Sequence, residues 1–197
     1  MRPRNKTRFA VLGLLSLGPM SGYDIKKLVG ESIGHFWSES YGQLYPVLRR
    51  LTAEGRVKRK EQRGAGRPGR IVYSLTPAGQ ETLAGWLREP PRPQPHRSEL
   101  LLKLFFGERA PVAVSRRHVE EFRALNLRFL QTYAQVEREL RRSHASHPGL
   151  PWWLITLSFG RRRSQAFVHW ADETLETLQT LERTRRRGRS KTKKARS

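Results

Sequence analysis

Between Tyr41 and Leu51 the sequence YGQLYPVLRRL sets one amide, Gln43, and two guanidinium groups, Arg49 and Arg50, on a short stretch with an apolar repeat. Tyr41, Leu44, Leu48 and Leu51 recur at helical spacing and share one face, and the amide and guanidinium groups point away from it. Glutamine and arginine are the side chains that pair bidentately with adenine and guanine edges in a major groove. A helix with an apolar back and a Gln/Arg front therefore has the chemistry of the second helix of a helix-turn-helix. On periodicity alone it is equally an amphipathic helix with solvated arginines. Pro46 is tolerated only near a helix start, so the first turn is expected at Gly42 or Gln43 and the end before Gly55.

The stretch that follows favours the first reading. Val57 to Lys60 is basic and extended, and Ile71, Tyr73 and Leu75 alternate as a half-buried strand. The intervening Gly64-Ala65-Gly66-Arg67-Pro68-Gly69-Arg70 is expected to lack regular structure. Two strands around such a tip make a β-wing that can lay Arg63, Arg67 and Arg70 along a phosphate backbone or into a minor groove. Without the preceding helix, the same residues read as a solvated loop.

Composition points to a polyanionic partner. The chain has 197 residues, with 39 Lys and Arg against 17 Asp and Glu, a net charge of +22. Nine of the cations lie between Arg183 and Arg196, where no acid occurs. The absence of cysteine excludes disulfides, thiolate metal sites and cysteine nucleophiles. None of the six histidines has metal-ligand spacing, and no glycine-rich phosphate loop sits between a strand and a helix. No metal, cofactor or enzymatic activity is therefore expected, and His144 and His147, beside Pro148-Gly149, read as solvated loop residues. The apolar run Phe9 to Leu17 lacks a following cleavage site, and no stretch is long enough to span a membrane. A soluble cytoplasmic protein with no membrane partner is expected.

The elements that must position the Gln/Arg surface follow in chain order. Lys6 and Arg8 stand where a first helix begins and are placed to touch phosphate. Phe9, Leu12 and Leu15 form that helix, closed by Gly18-Pro19. Ser21 caps a second helix with Asp24 in capping-box position and Ile25, Leu28 and Val29 inside, and Gly30, Gly34, Phe36 and Trp37 form the turn after it. Thr76-Pro77 opens a further helix that packs Leu83, Trp86 and Leu87 back onto the module. The proline-dense run from Glu89 to Pro95 then reads as an extended spacer or a proline-rich ligand.

The second half is helical in pattern. Leu100 to Phe106 is a short apolar helix expected to fasten the two halves together. Val119, Phe122, Asn126, Phe129, Tyr133, Val136 and Leu140 make a heptad seam with one polar member. Asn126 either fixes register between helices or meets water or a backbone group. A last helix carries Phe167, Trp170, Leu175, Leu178 and Leu181. These helices either meet the same helices of a second copy or form a bundle against the first domain. Trp152, Trp153 and Trp170 with Phe159 and Phe167 line either a pocket for a planar apolar compound or the dimer core.

Three linked motifs carry a resemblance: LGLLSLGPMSGYDI (Leu12 to Ile25), GQLYPVLRRLTAEGRV (Gly42 to Val57) and GRIVYSLTPAG (Gly69 to Gly79). In that order and spacing, the first domain resembles the PadR-type winged helix-turn-helix transcriptional regulators, and the second half is similar in layout to that family's helical dimerisation domain. The resemblance implies a mainly α protein: a winged helix-turn-helix of three helices, a two-stranded wing and an extra helix, joined to a C-terminal α-helical dimerisation domain. It implies a homodimer, usually a repressor, on palindromic double-stranded operator DNA, released in many members by a small aromatic or apolar effector. It places Ser40, Gln43, Tyr45 and Arg49 on the recognition surface and Arg67 and Arg70 in the wing. The expected organisation is a DNA-binding domain at 1–88, a linker at 89–97, a dimerisation domain at 98–183 and a disordered basic tail at 184–197. The tail is foreign to the family's shared pattern. The rival from another class is an architectural protein that binds nucleic acid without regard to sequence.

Overall fold

The computed structural model describes residues 6–31, 43–64, 67–91 and 97–194 and divides the chain into two units, Met1–Gln94 and Pro95–Ser197. In the first, helix α1 (Thr7–Leu15) buries Phe9, Val11, Leu12, Leu14 and Leu15. Strand β1 (Met20–Ser21) leads into α2 (Gly22–Glu31), which contains Gly30 rather than ending before it. Gly34, Phe36, Trp37, Ser40, Tyr41 and Gly42 lie outside the described residues. Helix α3 (Leu44–Ala53) starts one or two residues later than Pro46 implies.

The close of α3 is a Schellman motif. Gly55 takes φ +68, the Gly55 N–H donates to the Thr52 carbonyl at 3.0 Å, and the Arg56 N–H donates to that of Leu51 at 2.9 Å. This reversal sends the chain into β2 (Val57–Gly64), which pairs antiparallel with β3 (Arg67–Leu75). The strands thus run further into the Gly/Arg stretch than its composition predicts. A ladder from Val57↔Leu75 to Gln62↔Arg70 holds the backbone, and a bulge between Gln62 and Gly64 absorbs the irregularity. The expected two-stranded wing gains a third strand, because β1 pairs with β3 at Met20↔Tyr73 and Ser21↔Val72. Two residues are too few to leave a periodic signal in the sequence.

Thr76 caps α4 (Pro77–Arg88), its hydroxyl accepting the Gly79 N–H at 3.0 Å and donating to the Gly55 carbonyl at 2.8 Å. One hydroxyl thereby ties the start of α4 to the end of α3. Gly79 is required there, since a Cβ would collide with the Arg56 carbonyl oxygen. Leu83 and Trp86 pack on the core and Trp86 stacks on Phe9 at 4.6 Å, whereas Leu87, expected to join them, is exposed.

The second unit begins with α5 (Glu99–Phe105), which buries none of its residues. Helices α6 (Val112–Ser143) and α7 (Leu150–Lys194) form an antiparallel hairpin, as the order of their ion pairs shows: Arg116 with Glu182, Arg123 with Asp172, Glu137 with Arg161. The heptad seam of α6 packs on α7 of the same chain, a partner that the sequence did not name. Phe122 lies 5.3 Å from Phe167 and 5.7 Å from Trp170, and Val119 and Tyr133 are buried. Asn126 is buried in the seam and donates to the Phe122 carbonyl of its own helix at 2.9 Å, the backbone partner of the two readings.

Helix α7 is one continuous element. Pro151 falls in its first turn, where no hydrogen bond is forfeited, and Gly160 faces the Tyr133 ring, so neither breaks it. It runs through Lys194 and so takes in most of the segment that composition marks as a disordered tail. At the hairpin bend His144 and His147 are exposed, as expected, and His147 is also engaged locally: the Gly149 N–H donates to its Nδ1 at 2.9 Å, and its ring stacks on Trp153 at 4.5 Å.

Candidate nucleic-acid interface

Helix α3 is built as its spacing demands. Leu44, Val47, Leu48 and Leu51 are buried, and Gln43, Tyr45, Arg49 and Arg50 lie on the exposed side. Burial of the first set against α1 fixes the rotation of the helix about its axis, and that rotation aims the second set outward. Gln43 is the N-cap residue but makes no side-chain cap bond, so its amide is not spent on the helix. Tyr45 is 56% exposed.

Two of the cations named from sequence are held from within. Arg8 donates to Glu54 Oε2 at 2.7 Å and Arg50 to Glu54 Oε1 at 2.9 Å. Burial raises the Glu54 pKa, but the Arg50 hydrogen bond and the Arg8 and Arg50 charges outweigh it and hold the carboxylate below its usual range. Arg8 is mostly covered and lies 5.6 Å from the Phe9 ring centre, in a bracing position. Arg50 remains largely exposed and can exchange its carboxylate partner for a phosphate.

Arg70 also has an internal partner. Ser21 and Asp24 form a full capping box: the Ser21 N–H and hydroxyl donate to Asp24 Oδ2 at 2.9 Å each, and the Asp24 N–H donates to Ser21 Oγ at 3.2 Å. Arg70 reaches across from β3 to bond the same carboxylate, and Ser21 Oγ at 3.3 Å. The Ser21 backbone N–H, ahead of the serine hydroxyl and the Arg70 charge, keeps the Asp24 carboxyl below the ordinary aspartate range. Arg70 therefore fastens the wing to the start of α2 rather than standing free on the wing, as its place in the sequence suggests. Lys6 is half-buried. The Arg63 and Arg67 side chains and Ser40 lie outside the described residues.

Sequence reasoning misses Tyr23. It is 71% exposed on the first turn of α2 and shares a shallow concavity with Tyr45, Asp24 and Arg70. Gly22 sets the spacing, because a Cβ there would lie 2.7 Å from the Tyr45 ring. An exposed aromatic inside a capping box, between Ser21 and Asp24, is the signal that could have found it.

The residues named for dimerisation divide differently. Val119, Asn126 and Tyr133 are buried inside one hairpin, and Phe122, half-buried there, meets the half-buried Phe167 and Trp170. Phe129, Val136, Leu140 and Leu178 are half-buried. Outside the hairpin α7 leaves Trp152, Ile155 and Phe159 exposed at 70, 62 and 64%. The five aromatics considered for one pocket are spread along α7, and within the protomer they do not converge.

Residues 11–85 match the transcriptional regulator PadR-like family, and residues 96–179 match the family described as virulence activator alpha C-term. The chain is 30% identical over 180 residues to the negative transcriptional regulator PadR of Bacillus subtilis, covering 87% of this chain and 96% of that protein. The crystal structure of Bacillus subtilis PadR in complex with operator DNA superposes with a TM-score of 0.75 at 28% identity over 87% of this chain and 98% of that one. The same protein in complex with p-coumaric acid gives 0.68 at 28% identity over the same shares of the two chains. The Vibrio cholerae virulence activator AphA gives 0.69 at 26% identity, over 88% of this chain and 98% of that one.

Proposed function

Because this chain belongs to the PadR-like family of transcriptional regulators, we propose that it acts as a homodimeric repressor, binding a palindromic operator and leaving it when a small aromatic effector binds. The observation that carries the reading is the exposed Gln43/Arg49 edge of α3, set by a fully buried opposite face, in a chain matched along most of its length to a protein crystallised with operator DNA.

Gln43 and Arg49 read base edges, and Ser40, Tyr45 and Arg50 hold phosphates. Arg63 and Arg67 anchor the wing on the flank. Arg70 and Arg8 act indirectly, by fixing the wing to α2 and α1 to the end of α3. Lys6 contributes charge at the start of α1. A two-fold dimer sets its half-sites one helical turn apart, about 34 Å. Since the α6 seam is filled within each protomer, the second copy docks on the outer apolar face of the hairpin, Trp152, Ile155 and Phe159. The relative crystallised with p-coumaric acid supports an aromatic effector. Repression follows the Bacillus subtilis relative, and AphA shows that activators share the fold. No described helix is long and apolar enough to cross a membrane; the family match is what supports work on DNA in the cytoplasm.

Selection of bound fragments from random duplex DNA tests the whole reading. A palindrome with the stated half-site spacing is the expected product. Recovery of fragments without common sequence, once salt masks charge attraction, would replace it with the architectural reading.

A further inference from the structure

We propose that the basic continuation of α7 beyond Glu182 is a second, sequence-independent binding site for the phosphate backbone of duplex DNA. Glu182 is the last acid of the chain, and it is tied to α6 through Arg116 at 3.3 Å. From Arg183 onward nine cations follow with no acid, while the helix continues to Lys194. The two family matches end at residues 85 and 179, so the run lies outside both. The Bacillus subtilis relative is matched over 96% of its own length but only 87% of this chain. The run therefore lies beyond both matched segments and is no part of the operator-reading domain.

The helix dipole accounts for only part of it. A helix C-terminus favours cations within its last turn, which covers Lys191 to Lys194 but not a run that starts two turns earlier at Arg183. Upstream, Arg183 with Arg187, Arg185 with Arg189 and Arg187 with Lys191 are like charges at i,i+4, a spacing that opposes a helix in water. A row of phosphates removes that repulsion and releases the counterions condensed on DNA. Duplex DNA is the polyanion to which the rest of this regulator is directed, and this contact adds to the α3 reading without depending on it.

The test compares the full chain with a variant carrying Arg185→Gln, Arg186→Gln, Arg187→Gln and Arg189→Gln. Affinity for the selected operator and for a random duplex is measured by fluorescence anisotropy across a salt series. The variant is expected to lower the slope of log K against log salt by up to about 3.6, at about 0.9 for each phosphate no longer neutralised. Both duplexes should bind more weakly by the same factor, so their ratio stays constant. Arg185→Gln with Arg189→Gln alone should give about half the effect, which separates removal of charge from misfolding. An unchanged slope with the operator preference intact overturns the tail site alone. A weaker grip on anionic vesicles or RNA with no change on duplex DNA overturns it as well. Absence of any operator preference in the unmodified chain would instead count against the α3 reading.

Discussion

Asp24 shows how one carboxylate can organise the surface between α2 and the wing. Its carboxylate closes the cap of α2 and receives Arg70 from β3. Its folded pKa is depressed, chiefly by the Ser21 N–H, so its contribution is complete above the unfolded aspartate value of about 3.9 and disappears as pH falls through the lower folded value. Asp24→Asn is expected to flatten that part of the acid side of a Tm-against-pH profile. At neutral pH it should cost at most about 1 kcal/mol, because the pair is half exposed and screened. An unaltered acid limb would rule the linkage out. Gln43→Ala or Arg49→Ala should each cost about 1–3 kcal/mol on the operator and relax base preference at the position read. An equal loss on random duplex would reassign that side chain to phosphate. Gln43 and Arg49 are visible in the sequence because residue type and helical phase suffice to name them. The internal pairing of Arg8 and Arg70 is not, since their acids are 46 residues away and meet them only in the folded unit.

At the scale of elements, the hairpin of the second unit rests on close approach of α6 and α7 at small residues. Gly160 faces the Tyr133 ring, and a Cβ there would sit 2.8 Å from it. Gly160→Leu is expected to force the buried tyrosine aside and lower stability by about 1–3 kcal/mol, read as a drop in Tm with helix content retained at low temperature. A neutral result would mean that the helices separate freely at that level. Periodicity reveals the α6 seam correctly, down to the polar place at Asn126, but a seam does not name its partner. Two identical helices and two helices of one hairpin leave the same trace in sequence.

At the scale of the molecule, assembly decides function, because a single Gln/Arg edge reads too few bases to define an operator. Ile155→Glu with Phe159→Glu places charge on the exposed stripe of α7 and is expected to leave a folded protomer that sediments as a monomer and binds the operator weakly. Persistence of the dimer would move the interface to another face. The sequence by itself determined the elements, the identity of the α3 front and the family, since these depend on local period, capping chemistry and ordered motifs. Only the tertiary structure decided which cations are free and which are braced, that β1 completes the sheet, and that the α6 seam is filled from within. Those outcomes turn on contacts between residues far apart in the chain, where folding geometry and not spacing determines which charge meets which.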